Sequence, residues 1–455
     1  MCTSCDSKEQ SNLEGSDGDK VADYIIMDIN GYQVRVDTNA DGNWIEPMQM
    51  AGDAVNYISI SEASGYTVTV GKQVVDDGKT IEVEINGPLK KSEGIPVEIT
   101  NNETGGTTTQ WIRTLNEGFP VFETVNNGAK EGVYYFEPTM DWICKMNTNS
   151  EILFYKYNEK NMNDFKQVQD DAGNIYYCYN TPYASSDIVL TVSSSFFTPS
   201  KEVILDENYR VVKEIYGYTQ VDGTDSKWGL DCHDFYFFSL DHYITLSYVP
   251  KWVDNVPADL IKNNNSSVRV MATVIQEIKD GEVVFEWDST DYPILYSMSV
   301  EGNDYSMKSG TFCDYIHTNS ITVCPNDDNI VISMRHNDSV MEISRKTGEI
   351  QWILGGKEDM FGLSNEQKSC RQHYARFTDE GTLTIFDNST GYEVTSSMDG
   401  KFEGNGTGYA RTIEYVLDEE NKKLVSCEVF EPNMRLGDIM GSAQKTGGIH
   451  FVSAQ

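Results

Sequence analysis

Apolar and polar residues alternate with a period of two over many short runs, and turn residues separate the runs. Between Val21 and Phe119 the runs are YIIMDI, YQVRVD, NYISIS, YTVTVG, TIEVEI and VEITNN, with breakers such as DDGKT and NETGG between them. A period of two puts successive side chains on opposite faces of a strand, so these segments predict a small β-sandwich over residues 21–118. From residue 119 to 455 the pattern changes. An apolar run, an Asp/Asn/Gly turn and a second apolar run with an aromatic recur as WICKMNTNSEILFYKY, VILDENYRVVKEIYGY, VIQEIKDGEVVFEW, VMEISRKTGEIQWILGG and IEYVLDEENKKLVSCEVF. Repeated hairpins over more than 300 residues are the signature of propeller blades. The sequence therefore predicts an all-β chain with a sandwich followed by a β-propeller. The last blade is short, ending at HFVSAQ, so either further residues or the N-terminal part is expected to complete the ring.

A second set of hairpins carries the candidate chemistry. HDFYFFSLDHYITLSY starts at His233, HTNSITVCPNDDNIVISMRH at His317 and HYARFTDEGTLTIFDN at His373. A side chain at the same place on the innermost strand of successive blades points into one central channel. The three histidines, though 84 and 56 residues apart in sequence, are expected to meet. Asn319 lies two residues after His317, on the same strand face if the strand is regular, and Arg335 ends the following strand. With no obvious carboxylate among them, this set offers the donors and positive charge that a sulfate or phosphate group needs. His242, His336 and His450 are expected to be structural.

Composition narrows the partners. The formal net charge is −36, from 71 acidic and 35 basic residues. Such a surface repels nucleic acid and anionic lipid, and an anion site must carry its own positive charge. No run of about 18 uninterrupted apolar residues suggests a transmembrane helix. The nine cysteines are scattered, without zinc-finger spacing or a disulfide framework. Asp37, Asn39, Asp41 and Gly42 open like a calcium loop, but Met48 stands where a bidentate Glu belongs, so an Asx turn explains them as well. Residues 1–20 are polar and are expected to form a disordered tether. Cys2 at its start suits the lipid anchor of a bacterial lipoprotein, and a plain flexible N-terminus is the alternative.

The segments DYIHTNSI, ISMRHNDSVMEISRKTGEIQWILGG and RQHYARFTDEGTLTIFDN resemble the bacterial arylsulfate sulfotransferase family, most strongly from Trp228 to Glu431. The resemblance implies a sandwich followed by a six-bladed propeller, often as a homodimer, in the periplasm or at the cell surface. It implies ping-pong transfer of a sulfuryl group from a phenolic sulfate ester to a phenolic acceptor through a sulfohistidine. No metal, nucleotide or organic cofactor is implied. By matching motif, His373 would be the nucleophile, and His317, Asn319, Arg335 and His233 would hold the sulfuryl oxygens, with His317 or His233 as the acid. Two other readings compete: a non-catalytic surface binding propeller, and a propeller enzyme with a metal on its histidine cluster.

Overall fold

The computed structural model describes residues 23–42, 45, 55–84, 94–112, 119–120, 131–148, 152–183, 190–191, 196–217, 229–263, 266–306, 312–378, 380–389, 410–430, 440–446 and 449–453. The Cys2 tether and the 118/119 boundary lie outside them. Strands dominate, and no helix among these residues is long and apolar enough to cross a membrane.

Two four-stranded antiparallel sheets form the N-terminal part. One runs in the order Tyr32–Asp37, Tyr24–Ile29, Val55–Ser61, Thr80–Glu84; the other runs Gln73–Val75, Tyr66–Val70, Ile95–Asn101, Thr107–Ile112. Every second residue of Tyr24–Ile29 is buried, and Ile25, Met27 and Ile29 share a core with Ile58, Val68, Val97 and Ile99. This is the sandwich that the alternation predicts. Its first hairpin turns on Asn30-Gly31, both at positive φ (53° and 94°). That conformation matches the right-handed twist of the flanking strands. Asp37 Oδ1 accepts the Asn39 amide at 2.8 Å, and Asp41 Oδ1 accepts the Thr109 amide at 2.7 Å. The Asp37–Gly42 motif therefore works as turn chemistry here.

The following hairpins assemble into successive antiparallel sheets. Those that matter for the site are Leu230–Ser239, His242–Val253, Val268–Lys279 and Glu282–Asp288; then Thr318–Val323, Ile330–Met334, Ser339–Ile343 and Ile350–Gly355; then His373–Phe377, Leu383–Asp387, Arg411–Asp418 and Lys423–Phe430. They are called the His233, His317 and His373 sheets below. Ahead of them stand Val133–Thr139, Trp142–Asn147 and Ile152–Tyr157, then Asn163–Gln169, Ile175–Pro182, Ser200–Leu205 and Val211–Ile215. The latter group joins the His233 sheet through the single pair Ser200 and Leu230. After them comes the hairpin Ser442–Thr446 and Ile449–Ser453. The first strand of each group packs against the first strand of the next, the arrangement of blades about an axis.

Central strands are buried on both faces. All of Thr318–Val323, Ile330–Met334, Ser339–Ile343 and Leu383–Asp387 lie inside. One apolar core, with Ile244, Ile275, Ile321 and Met341, fills the space between the His233 and His317 sheets. Another, with Val331, Val340, Trp352, Ile385 and Ile413, fills the space between the His317 and His373 sheets. Near the axis, polar glue adds to this packing. Buried Asp234 accepts Lys166 Nζ at 2.7 Å, the Ile321 amide at 2.6 Å and Arg376 Nη2 at 2.5 Å, so one carboxylate ties the first strands of four successive groups together. The seven described cysteines, from Cys144 to Cys427, are free thiols.

Candidate active site

The fold brings the three sequence-predicted histidines together. The His233 ring centroid lies 5.2 Å from that of His317 and 6.1 Å from that of His373. Their local backbones explain how. Each first strand breaks register beside its histidine: between Leu230 and Phe235, between Thr318 and Ser320, and between His373 and Arg376. A β-bulge re-aims side chains at a strand end, and such irregularities favour binding sites. His317 (φ 48°), Arg371 (φ 56°) and Tyr374 (φ 54°) all hold the left-handed conformation that non-glycine residues rarely adopt. Strain is thus concentrated around the cluster.

Asn319 is placed otherwise. Because His317 precedes the strand in a left-handed turn, the two-residue alternation does not run from 317 to 319, and Asn319 falls in the bulge. Its Nδ2 donates to the Gln372 carbonyl at 2.8 Å. Gln372 in turn donates to Ser333 Oγ and to the Met334 and Ser339 carbonyls at 2.9–3.2 Å. Asn319 thereby fixes the backbone next to His373 from the neighbouring sheet.

The expectation of a carboxylate-free cluster is also corrected. Asp231 accepts from His233 Nδ1 at 2.7 Å, and Asp314 accepts from His317 Nδ1 at 2.6 Å. Glu301 receives Arg335 Nη1 at 3.0 Å and Arg371 Nε at 2.7 Å. The spacings Asp-x-His and Asp-x-x-His were present in the sequence as signals; Glu301 sits in an irregular segment and left none. His336, expected to be structural, is fully buried and stacks on His317 at 4.5 Å between ring centroids. Tyr248, which sequence reasoning missed, has its ring 5.8 Å from His317 and donates its hydroxyl to the Thr318 carbonyl at 2.6 Å.

His373 has a different partner. Its Nδ1 lies 2.7 Å from Asn388 Oδ1, while Asn388 Nδ2 donates to the Met440 carbonyl at 2.8 Å. The Met440 amide donates to His373 Nε2 at 3.2 Å. These bonds assign the tautomer: Nδ1 carries the proton and Nε2 presents a lone pair. Burial, reinforced by Arg335 and His233, holds the His373 imidazole well below the usual histidine range. Burial also disfavours charge on His233, but Asp231 outweighs it and raises that group above its ordinary value. The site therefore pairs a neutral imidazole with a protonation-prone one.

A family model described as Arylsulfotransferase (ASST) matches residues 124–437. The chain belongs to the arylsulfotransferase family. It is 30% identical over 134 residues to the arylsulfate sulfotransferase AssT of Lelliottia amnigena, covering 24% of this chain and 21% of that protein. It is 29% identical over 133 residues to AssT of Escherichia coli O6:H1, again covering 24% and 21%. The chain thus spans about a fifth of the length of these curated relatives. Solved structures are only distantly alike. A catalytically inactive virginiamycin B lyase from Staphylococcus aureus has a TM-score of 0.29 at 10% identity, covering 90% of this chain and 86% of that one. A protein from Bacteroides caccae has a TM-score of 0.31 at 11% identity, covering 63% and 69%.

Within this cluster, two groups could hold a metal: Asp231, Cys232 and His233, and Asp314, His317 and His336, each with ligand atoms within 4.8 Å of one another. In both, the carboxylate already orients a histidine Nδ1. The positive charge of Arg335 also reaches His233, His317's partner Asp314, and His373. That field disfavours a cation and favours an anion between the rings.

Proposed function

We propose that this protein is an arylsulfate sulfotransferase in which His373 carries the sulfuryl group between two phenols. The observation that carries the reading is the neutral, buried His373, with Nδ1 fixed on Asn388 and His233 and His317 facing it, in a chain of the arylsulfotransferase family. His373 Nε2 attacks the sulfur of an aryl sulfate once the Met440 amide cedes the lone pair. The S–O bond to the aryl group breaks, and His233, whose proton affinity Asp231 raises, supplies the proton to the leaving phenolate. Arg335 and His317 face the charge that spreads over the sulfuryl oxygens. In the second half-reaction the acceptor phenol gives its proton back to His233 and its oxygen attacks sulfur, breaking the N–S bond. Water, metal and nucleotide have no part in these steps.

Asn319 acts in this scheme by positioning His373 through Gln372. The same reading carries a ring of six blades, supported by the six successive strand groups, and a periplasmic or cell-surface enzyme able to pair with a second copy. Initial rates measured over a grid of 4-nitrophenyl sulfate and phenol concentrations test it. Parallel double-reciprocal lines are expected from a substituted enzyme. Intersecting lines would mean direct transfer in a ternary complex, and no nitrophenol release would favour a binding propeller.

A further inference from the structure

At the end of the strands opposite the histidines, four side chains from two sheets converge. Cys324 directly follows strand Thr318–Val323, Asp327 lies in the hairpin beyond it, and Glu342 belongs to strand Ser339–Ile343 of the same sheet. Their ligand atoms all lie within 4.8 Å of one another. Glu419, in the turn after strand Arg411–Asp418 of the His373 sheet, brings its two carboxylate oxygens to 3.8 and 3.9 Å from Cys324 Sγ. Trp352 Nε1 fixes Glu419 from the sheet side, donating to Oε2 at 2.9 Å.

No cation among the described residues pairs with these carboxylates directly, although the Lys422 charge reaches Glu342 from a distance. Of the three carboxylates Glu342 is buried, Glu419 half-buried and Asp327 exposed, with Asn329 donating to both Asp327 oxygens at 3.1 and 2.7 Å. Buried carboxylates nearby have cations, as Asp387 has Arg411 at 2.7 Å and Glu414 has Lys445 at 2.8 Å. Asp327, Glu342 and Glu419 form no ion pair within 4.0 Å among the described residues; the Lys422 ammonium goes to the Glu419 carbonyl instead. Glu342 is 2% exposed, and its Oε1 is buried without a hydrogen-bond partner among those residues. Burial, with Asp327 and Glu419 adding to it, pushes its carboxyl up to about 8. A buried carboxylate oxygen of this kind is costly unless something occupies it.

We propose that Cys324, Asp327, Glu342 and Glu419 bind a divalent cation of the zinc class, which clasps the His317 and His373 sheets together. One sulfur and three carboxylates form a four-ligand set that suits zinc, whose ligand atoms stand about 3.3–3.8 Å apart in a tetrahedron. Small side-chain rotations close the observed spacing. The site is about one strand length, roughly 20 Å, from His373 and takes no part in transfer.

The test uses the full chain, stripped with a chelator and dialysed, then titrated with Zn2+ and Co2+. One equivalent of zinc by elemental analysis, a sulfur-to-cobalt charge-transfer band and a melting temperature raised by roughly 3–5 °C are expected. The band should vanish in Cys324→Ser, and Glu342→Gln should weaken zinc by about 100-fold. A sulfur-to-cobalt band that survives Cys324→Ser would place the metal on another thiol and overturn the proposal. So would the absence of stoichiometric metal in the intact chain, which would leave Glu342 and Glu419 sharing a proton.

Discussion

Between Tyr24 and Ile112 the buried residues are almost all Ile, Val or Met, and the buried polar ones there, Thr38, Asn56 and Gln110, are uncharged. Around the propeller axis, Asp231, Asp234, Asp314, Arg371, His336 and His373 are buried within a few residues of one another in space. The two regions obtain order differently. Apolar burial in the sandwich is non-directional and tolerates changes of similar volume. The axis depends on directed bonds such as those of Asp234, where loss of one partner strands the others in a dry interior. A chain that only needed stability could fill its axis with Val and Leu. Buried charge and left-handed backbone at one end of the blades are what an anion-handling site requires.

The largest effect that sharpens this contrast is expected at the proposed nucleophile. His373→Ala should lower the rate of transfer by about 10^4-fold or more. Its urea midpoint should fall less than that of Asp234→Ala below, since the imidazole loss frees only the bonds to Asn388 Oδ1 and the Met440 amide rather than buried charges. Next comes Asp234→Ala, which strands Arg376 and leaves Lys166 with Asp164 as its remaining carboxylate. Chemical denaturation should show the propeller destabilised by about 3–5 kcal/mol, with the sandwich transition unmoved. If both transitions shift together, the regions are not independent and the contrast fails.

Arg335→Gln should reduce kcat by about 10^2–10^3-fold. It should also move the acid limb of the pH profile. His373 is held below its ordinary value, so it remains neutral and active as pH falls past the usual histidine range. Losing the Arg335 charge lets its proton affinity rise, so the limb moves to higher pH. The sign is reversed for His233, whose raised value keeps the acid form as pH rises; Asp231→Asn should bring the alkaline limb down. The smallest change belongs to the sandwich: Ile58→Val should cost about 0.5–1.5 kcal/mol and leave transfer rates unaltered.

The same contrast explains what could be read from the sequence. Alternating YIIMDI and NYISIS report a half-buried strand directly, and the Asn30-Gly31 turn fixes the hairpin. The hairpins opening at His233, His317 and His373 gave the cluster because blades repeat. Asn319 was misplaced because a bulge and the left-handed His317 break the period that the inference used. Asp231 and Asp314 lay two and three residues before their histidines, a legible signal. Asn388, 15 residues after His373, directly follows strand Leu383–Asp387, and the folded hairpin brings it to His373 Nδ1. Glu301 and Met440 come from irregular segments whose placement depends on the assembled ring, so local pattern carried no trace of them.

Intact-mass spectrometry tests the central claim most directly. The protein is mixed with 4-nitrophenyl sulfate and no acceptor, beside His373→Ala. A gain of one SO3 on the parent, located on His373 by peptide mapping, absent in the variant and discharged by phenol, is the predicted result. Nitrophenol release with no adduct on the parent, or an adduct that persists in His373→Ala, would contradict it.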